Sequence, residues 1–271
     1  MSRIASLFDK KRNRILSVYC TAGFPDANDT LTVMRALREH GADMIELGMP
    51  YSDPLADGPV IQHSSSIALR NGMTLHKLFD QLKDLRKDPS EGGIGDTLPV
   101  LLMGYMNPVL QYGFDRFCRD AAAVGIDGLI LPDLPEYEFE IDYSAMIKSH
   151  GLDFVFLVTP ETSDKRVRKL DELSSGFLYA VSSSSTTGRD KDMSNVNRYL
   201  ERLKQLKLKN PVLVGFGIKD KESFEAACTI ADGAIIGTAF IKTLENAKDI
   251  SLATKKFLGS ILVSSQANIE N

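Results

Sequence analysis

The chain has three cysteines and four histidines in 271 residues, and neither set is spaced for a familiar metal centre. Cys20, Cys118 and Cys228 form no CxxC pair, which argues against a disulfide framework and a cysteine-rich zinc site. They read as small buried or half-buried thiols in a reducing compartment. His40, His63, His76 and His150 fall at helix ends or on helical patterns, and no HExxH occurs. No metal is expected. Positive charge is scarce too: 32 Lys plus Arg stand against 36 Asp plus Glu, a net charge of -4. A nucleic-acid binder normally shows the opposite balance. No apolar run approaches the length of a bilayer span, and the first twelve residues lack the apolar stretch of a secretory signal. These absences predict a soluble, cytoplasmic protein. A Walker A sequence and a GxGxxG are also missing, which removes support for a nucleotide site.

What is present is a regular alternation. Short apolar runs recur at 15–20, 44–47, 100–103, 128–131, 154–158, 177–181, 211–214 and 233–236. Their near-continuous apolar character suits parallel strands buried on both faces. Helical patterns lie between them. Asp29 and Thr30 offer an N-cap before Leu31, Met34 and Leu37. Leu75, Leu78, Leu82 and Leu85 repeat at three and four, as do Phe114, Phe117, Ala121 and Val124. Val196, Leu200, Leu203 and Leu206 mark a further helix, and Phe224, Ala227 and Cys228 another. Such alternation marks a (β/α)8 barrel or a doubly wound sheet, and eight units in this length favour the barrel: an α/β fold, a single (β/α)8 TIM barrel over 1–271 with an extra N-terminal helix. Residues 89–97 read as a surface loop, and 264–271 as a frayed tail.

A barrel of this kind carries its active site at the C-terminal ends of the strands. Glu46 stands there inside Met44-Ile45-Glu46-Leu47. A carboxylate among apolar neighbours is either paired or raised in pKa. It is therefore a structural ion or hydrogen-bond partner, or a general acid/base. Alternation along the strand turns Ile45 and Leu47 to the other face, so its surroundings would come from neighbouring strands, with Tyr19, Leu102 and Tyr179 as candidates. The following loop, Met49 to Pro59, holds three prolines and two aspartates. Asp57 before Gly58 is a turn residue or a second functional carboxylate. Gly188, Gly215 and Gly217, and Gly237 with Thr238, follow the last three strands. Glycine there lets backbone amides approach a phosphate, or simply makes tight turns. The polar stretch 182–192 reads as a lid over the barrel mouth.

The segment from Glu46 to Gln62, ELGMPYSDPLADGPVIQ, closely resembles the signature of the tryptophan synthase α-chain family. Thr21-Ala22-Gly23-Phe24-Pro25, Tyr105-Met106-Asn107-Pro108, Pro132-Asp133-Leu134-Pro135 and Gly215-Phe216-Gly217-Ile218 are similar to the same family, in order, over nearly the whole chain. The resemblance implies retro-aldol cleavage of indole-3-glycerol phosphate to indole and glyceraldehyde 3-phosphate, with no cofactor in this chain. It implies Glu46 as the proton-transferring glutamate and Asp57 as the aspartate on the indole N–H, with Tyr179 beside the glutamate. Thr187 would be the lid threonine, and Gly188, Gly217, Gly237 and Thr238 the phosphate cradle. It also implies docking on a pyridoxal-phosphate-dependent β chain in an α2β2 complex, through Pro50, Asp53, Asn107 and Asp133. The lid departs from the commoner pattern at 182–186, and Thr238 stands where many members carry serine. Another phosphate-binding barrel, such as an isomerase of histidine biosynthesis, is opposed by the 50–59 loop. An α chain that only activates its partner is opposed by the retention of Glu46, Asp57 and Thr187.

Overall fold

The computed structural model describes residues 2–181, 193–215 and 217–262. Nine strand segments occur: β1 (Ile15–Thr21), β2 (Met44–Gly48), β3 (Val100–Met103), β4 (Gly128–Ile130), β5 (Asp153–Phe154), β6 (Leu157–Val158), β7 (Leu178–Ala180), β8 (Val212–Val214) and β9 (Gly233–Ile236). They form one sheet in the order β5-β4-β3-β2-β1-β9-β8-β7-β6. Every hydrogen-bonded pair is parallel. The two outermost segments belong to one stretch of chain, 153–158. Val155 N donates to Leu129 O and Tyr179 N to Phe156 O, each at 3.0 Å, so this stretch bridges β4 and β7 and closes the ring. The result is the eight-stranded barrel that the alternation predicts, with its fifth strand split. The split has a local cause. Phe154 N donates to Ser175 Oγ (3.0 Å) and Phe156 N to Ser174 Oγ (3.1 Å), so two hydroxyls replace part of the ladder.

Strand alternation divides the core in two. Ile15, Met44, Leu101, Ile130, Val155, Phe177, Leu213 and Ile235 fill the inside of the ring. Leu16, Val18, Ile45, Leu47, Val100, Leu102, Leu129 and Leu178 pack outward against the helices. Both faces are apolar, which is why each strand reads as a nearly continuous run. The helix Arg3–Lys10 precedes β1, capped by Ser2, whose hydroxyl accepts from Ala5 N. It sends the fully buried Ile4 into the inner cluster and so plugs the N-terminal end of the ring. Asp127, just before β4, takes Arg3 at 2.9 Å and Arg86 at 2.8 Å beside that plug. Charged groups at this end hold the fold together and stand apart from the mouth.

Some local expectations need amendment. Asp29 precedes the helix Thr30–Glu39 but makes no side-chain cap. Thr30 works there instead, accepting from Gly23 N at 3.1 Å and donating to Gln81 Oε1 at 2.7 Å. The loop at 89–97 is pinned down, since Ile94 is fully buried and Arg86 binds the carbonyls of Gly95 and Leu98. A helix at Pro59–Arg70, absent from the apolar periodicity, carries the chain away from the Asp57 loop. Proline at its first turn lacks only an N–H that would have had no helical partner. Among the described residues no helix is long and apolar enough to cross a membrane.

Candidate active site at the barrel mouth

Glu46 lies in β2 with its side chain directed into the ring and no exposed surface. Oε1 accepts a hydrogen bond from Ser17 Oγ at 2.8 Å, and Oε2 has no partner among the described residues. Burial pushes its carboxyl up to about 8, against a smaller downward pull from the Ser17 hydroxyl. Tyr19 stands opposite Glu46 in the β1–β2 ladder, and Tyr179 enters from β7. Burial, and then the nearby Glu46 carboxyl, hold the Tyr179 phenol firmly protonated. Leu102 does not belong to this group. The register sets Glu46 against Leu101, so Leu102 falls on the helix side and Leu101 on the inner side. Two glycines make room for the tyrosines. A Cβ on Gly48 would collide with Tyr19 Oη, and one on Gly215 with Tyr179 Oη.

Asp57 hangs over this floor from the loop after β2. The loop is stapled: Asp57 N donates to Pro54 O at 3.0 Å and Gln62 Nε2 to Asp57 O at 2.9 Å. Tyr105 Oη accepts from Ala56 N and donates to Asp57 Oδ2, both at 3.0 Å. Burial raises the Asp57 carboxyl to about 6, and the Tyr105 bond lowers it somewhat. A residue kept only for its turn would leave its carboxylate in water. This one is half-buried and bonded inside the mouth.

The mouth opens into a cavity of about 1000 Å³. Tyr19, Asp57, Met103 and Tyr179 line it, and Gly217, Gly237 and Thr238 line its β8–β9 end. Glu46 is not part of the wall but lies beneath it. Gly217 has φ +65°, a conformation that favours glycine. Gly237 is different, because a Cβ there would make only ordinary contact, 3.5 Å from Tyr19 Cβ. Packing does not demand glycine at 237, whereas close approach of a ligand to the backbone would. Lys219 and Lys242 also line this end. Sequence reasoning gave no site role to them, to Ser17, or to Tyr105, which it met only within a family-like motif. Their signals were a hydroxyl at the inward parity of β1, an aromatic two residues past the end of β3, and two lysines placed two and four residues after Gly217 and Thr238. Thr187 and Gly188 lie outside the described residues, as does Phe216. Among the described residues no three His, Cys, Asp or Glu side chains gather into a group able to hold a metal ion.

The four residues expected at a partner surface follow three consecutive strands, Pro50 and Asp53 on the loop after β2, Asn107 in the first turn of the helix Met106–Tyr112 after β3, and Asp133 after β4, and so share one side of the rim. Asp53 and Asn107 are exposed and Pro50 is half-buried. Asn107 Nδ2 donates to Tyr51 Oη at 3.0 Å. Asp133 is exposed but turned inward, both carboxylate oxygens accepting from Met106 N at 3.0 Å. Leu55 on the loop after β2 and Leu110 on the helix Met106–Tyr112 are exposed large apolar side chains.

A (β/α)8 barrel with two carboxylates of unlike environment and a glycine-lined cavity at the C-terminal ends of its strands has the architecture of the barrel enzymes. Comparison with known proteins narrows that class. The family model for the tryptophan synthase alpha chain matches residues 4–266. The chain is 48% identical to the tryptophan synthase alpha chain of Flavobacterium johnsoniae over 262 residues, 96% of this chain and all of the relative. It is 45% identical to that of Parabacteroides distasonis over 262 residues, 96% of this chain and 99% of the relative. The crystal structure of tryptophan synthase subunit alpha from Legionella pneumophila superposes with a TM-score of 0.87 at 35% identity, covering 96% and 97% of the two chains. An aminoacrylate-bound tryptophan synthase from M. tuberculosis gives 0.82 at 33% identity, covering 96% and 98%. The chain belongs to the tryptophan synthase alpha chain family. The known role of that family is cleavage of indole-3-glycerol phosphate, and its members are enzyme subunits of tryptophan biosynthesis.

Proposed function

We propose that this cavity acts as a carbon–carbon lyase site in which Glu46 carries the protons and Asp57 holds the charge. The supporting observation is the pair of carboxyls set apart by their surroundings: Glu46 near 8 and Asp57 near 6. At neutral pH the first is mostly protonated and the second mostly ionised, a split that assigns acid and electrostatic roles. Protonation of C3 of the indole ring makes that carbon sp3 and leaves positive charge toward the ring N–H. The Asp57 carboxylate, held by Tyr105, stabilises that charge. The Glu46 carboxylate then takes the proton from the adjacent side-chain hydroxyl. As the aldehyde forms, the C–C bond breaks and its electrons restore the aromatic ring. One proton leaves the hydroxyl and one arrives at C3, so the reaction balances as indole plus glyceraldehyde 3-phosphate. Only protons move among this chain's residues, and no cofactor of its own enters the scheme.

The substrate's phosphate would occupy the end lined by Gly217, Gly237 and Thr238, with Lys219 and Lys242 nearby and Gly188 and Thr187 completing cradle and lid. We assign the rim of Pro50, Asp53, Asn107 and Asp133 to docking on a tryptophan synthase β chain, which would carry pyridoxal phosphate, in an α2β2 complex. The cysteines are all free thiols, which suits a cytoplasmic setting. The test is indole release from indole-3-glycerol phosphate by the purified chain, repeated as a cognate β chain is titrated in. Release that rises with β, with co-elution on sizing, supports both readings. No release under either condition overturns the lyase; release without a rise or co-elution removes the partner alone.

A further inference from the structure

Ser17 is fully buried inside the ring, and the scheme above gives it no task. It precedes Tyr19 by two residues in β1, so both share the inward face. In the ladder Tyr19 stands opposite Glu46, and Ser17 stands opposite Met44. The strands run toward the mouth, which places Ser17 one inward position deeper than Tyr19. Its hydroxyl nevertheless reaches Glu46 Oε1 at 2.8 Å. The carboxyl is therefore drawn down toward the plugged end of the barrel. That direction agrees with two separate facts: Glu46 has no exposed surface, and it is missing from a cavity wall that includes Tyr19, Tyr179 and Asp57. Its ladder neighbours, Met44 on β2 and Ile235 on β9, are apolar and offer the hydroxyl no alternative acceptor side chain.

We propose that Ser17 is a positioning residue for the acid/base, a latch that holds Glu46 withdrawn beneath the tyrosine floor until substrate fills the cavity. This rests on the reading of Glu46 as the proton carrier. A withdrawn carboxyl cannot touch a substrate in the cavity, so turnover requires it to leave Ser17 and swing toward the mouth. A buried hydrogen bond of this kind biases a two-state rotamer by roughly two- to tenfold. Substrate contacts in the cavity can overcome that bias, and in their absence the proton stays sheltered from solvent. The other titratable groups around Glu46 are Cys20 on β1, Tyr19 and Tyr179 in the floor and, above it, Asp57.

The test compares wild type, Ser17→Ala and Ser17→Thr by indole release across pH, with isotope-edited infrared spectroscopy of the Glu46 carboxyl in each. Removing the hydroxyl should raise kcat/KM two- to tenfold and move its inflection to higher pH, because a donor to the ionised form is lost. Ser17→Thr should restore both. The Glu46 C=O band should shift in Ser17→Ala and return in Ser17→Thr. A kcat/KM that is unchanged or lowered in Ser17→Ala, or an unmoved band, overturns the latch. If wild type releases no indole, the lyase reading fails by itself, and the infrared band alone decides whether Ser17 holds the carboxyl.

Discussion

Glu46→Gln should cost the chain its activity and at the same time make the fold less sensitive to alkali. The carboxyl titrates near 8 in the folded chain, against 4.5 for an unperturbed glutamate. Below pH 4.5 both folded and unfolded chains hold the proton, and the group carries no penalty. As pH rises further the unfolded chain releases its proton while the folded chain keeps it, so folded stability falls. The loss levels off once the folded carboxyl also ionises, near pH 8. At about 1.4 kcal/mol per pH unit, a window of about 3.5 units bounds the penalty at on the order of 5 kcal/mol. Between pH 5 and pH 8 roughly 3 kcal/mol of it should develop. Glutamine has no such titration. Its amide nitrogen would replace the oxygen that has no partner among the described residues, which costs about 1–3 kcal/mol at every pH. The informative quantity is therefore the change in the gap between the two proteins, not its sign at one pH. Urea denaturation of both at pH 5 and pH 8 measures it. The gap should move by about 3 kcal/mol in favour of glutamine at the higher pH. A gap constant to within about 1 kcal/mol would refute the burial argument. Indole release should fall below about a tenth of wild type, since the shape survives and the titrating proton does not. The chain contains no tryptophan, so indole emission can be followed against tyrosine alone.

Three further outcomes are expected. Asp57→Asn should lower kcat by about 10²–10³, as for removal of a preorganised group at developing charge; a loss of less than about threefold would return Asp57 to a turn role. Gly48→Ala should destabilise by about 1–3 kcal/mol and slow turnover, because the new methyl collides with Tyr19 Oη; a variant that melts and works like wild type would mean the tyrosine floor can yield. Lys242→Gln should raise KM several-fold with kcat unchanged, and should flatten the fall of kcat/KM with added salt, since an anionic substrate would lose a cation at the cavity rim. A salt dependence identical to wild type would exclude Lys242 from phosphate binding.

The strands were legible because a parallel barrel buries both faces of each, and the inward direction of Glu46 followed from alternation within β2. The placing of Leu102 failed for the complementary reason. Which β3 residue faces inward depends on the register between β2 and β3, and a strand's own sequence does not carry that register. The helix Pro59–Arg70 escaped notice because Ser64, Ser65 and Ser66 interrupt its apolar stripe. Ser64 is nonetheless buried, sharing a hydrogen bond with Thr21 at 2.7 Å. Glu46 and Asp57 stood out as carboxylates where a barrel would bury them. Ser17 did not, because a serine in a strand is cheap whether or not a carboxylate meets it. Lys219 and Lys242 look like any surface lysine until the ring brings the ends of β8 and β9 to one cavity.

The ring is uneven, and the unevenness sorts the labour. β1 runs for seven residues and pairs with β2 across five, whereas β5 and β6 have two residues each and β7 and β8 three. Tyr19, Glu46 and the root of the Asp57 loop all belong to the long ladder. Gly217 and the seam at 153–158 belong to the short ones. Proton transfer fails with misplacement of about an ångström, while enclosing a substrate tolerates far more give. Laboratory evolution toward bulkier indoles should therefore collect its permissive changes on the β6–β8 side and leave β1 and β2 almost untouched.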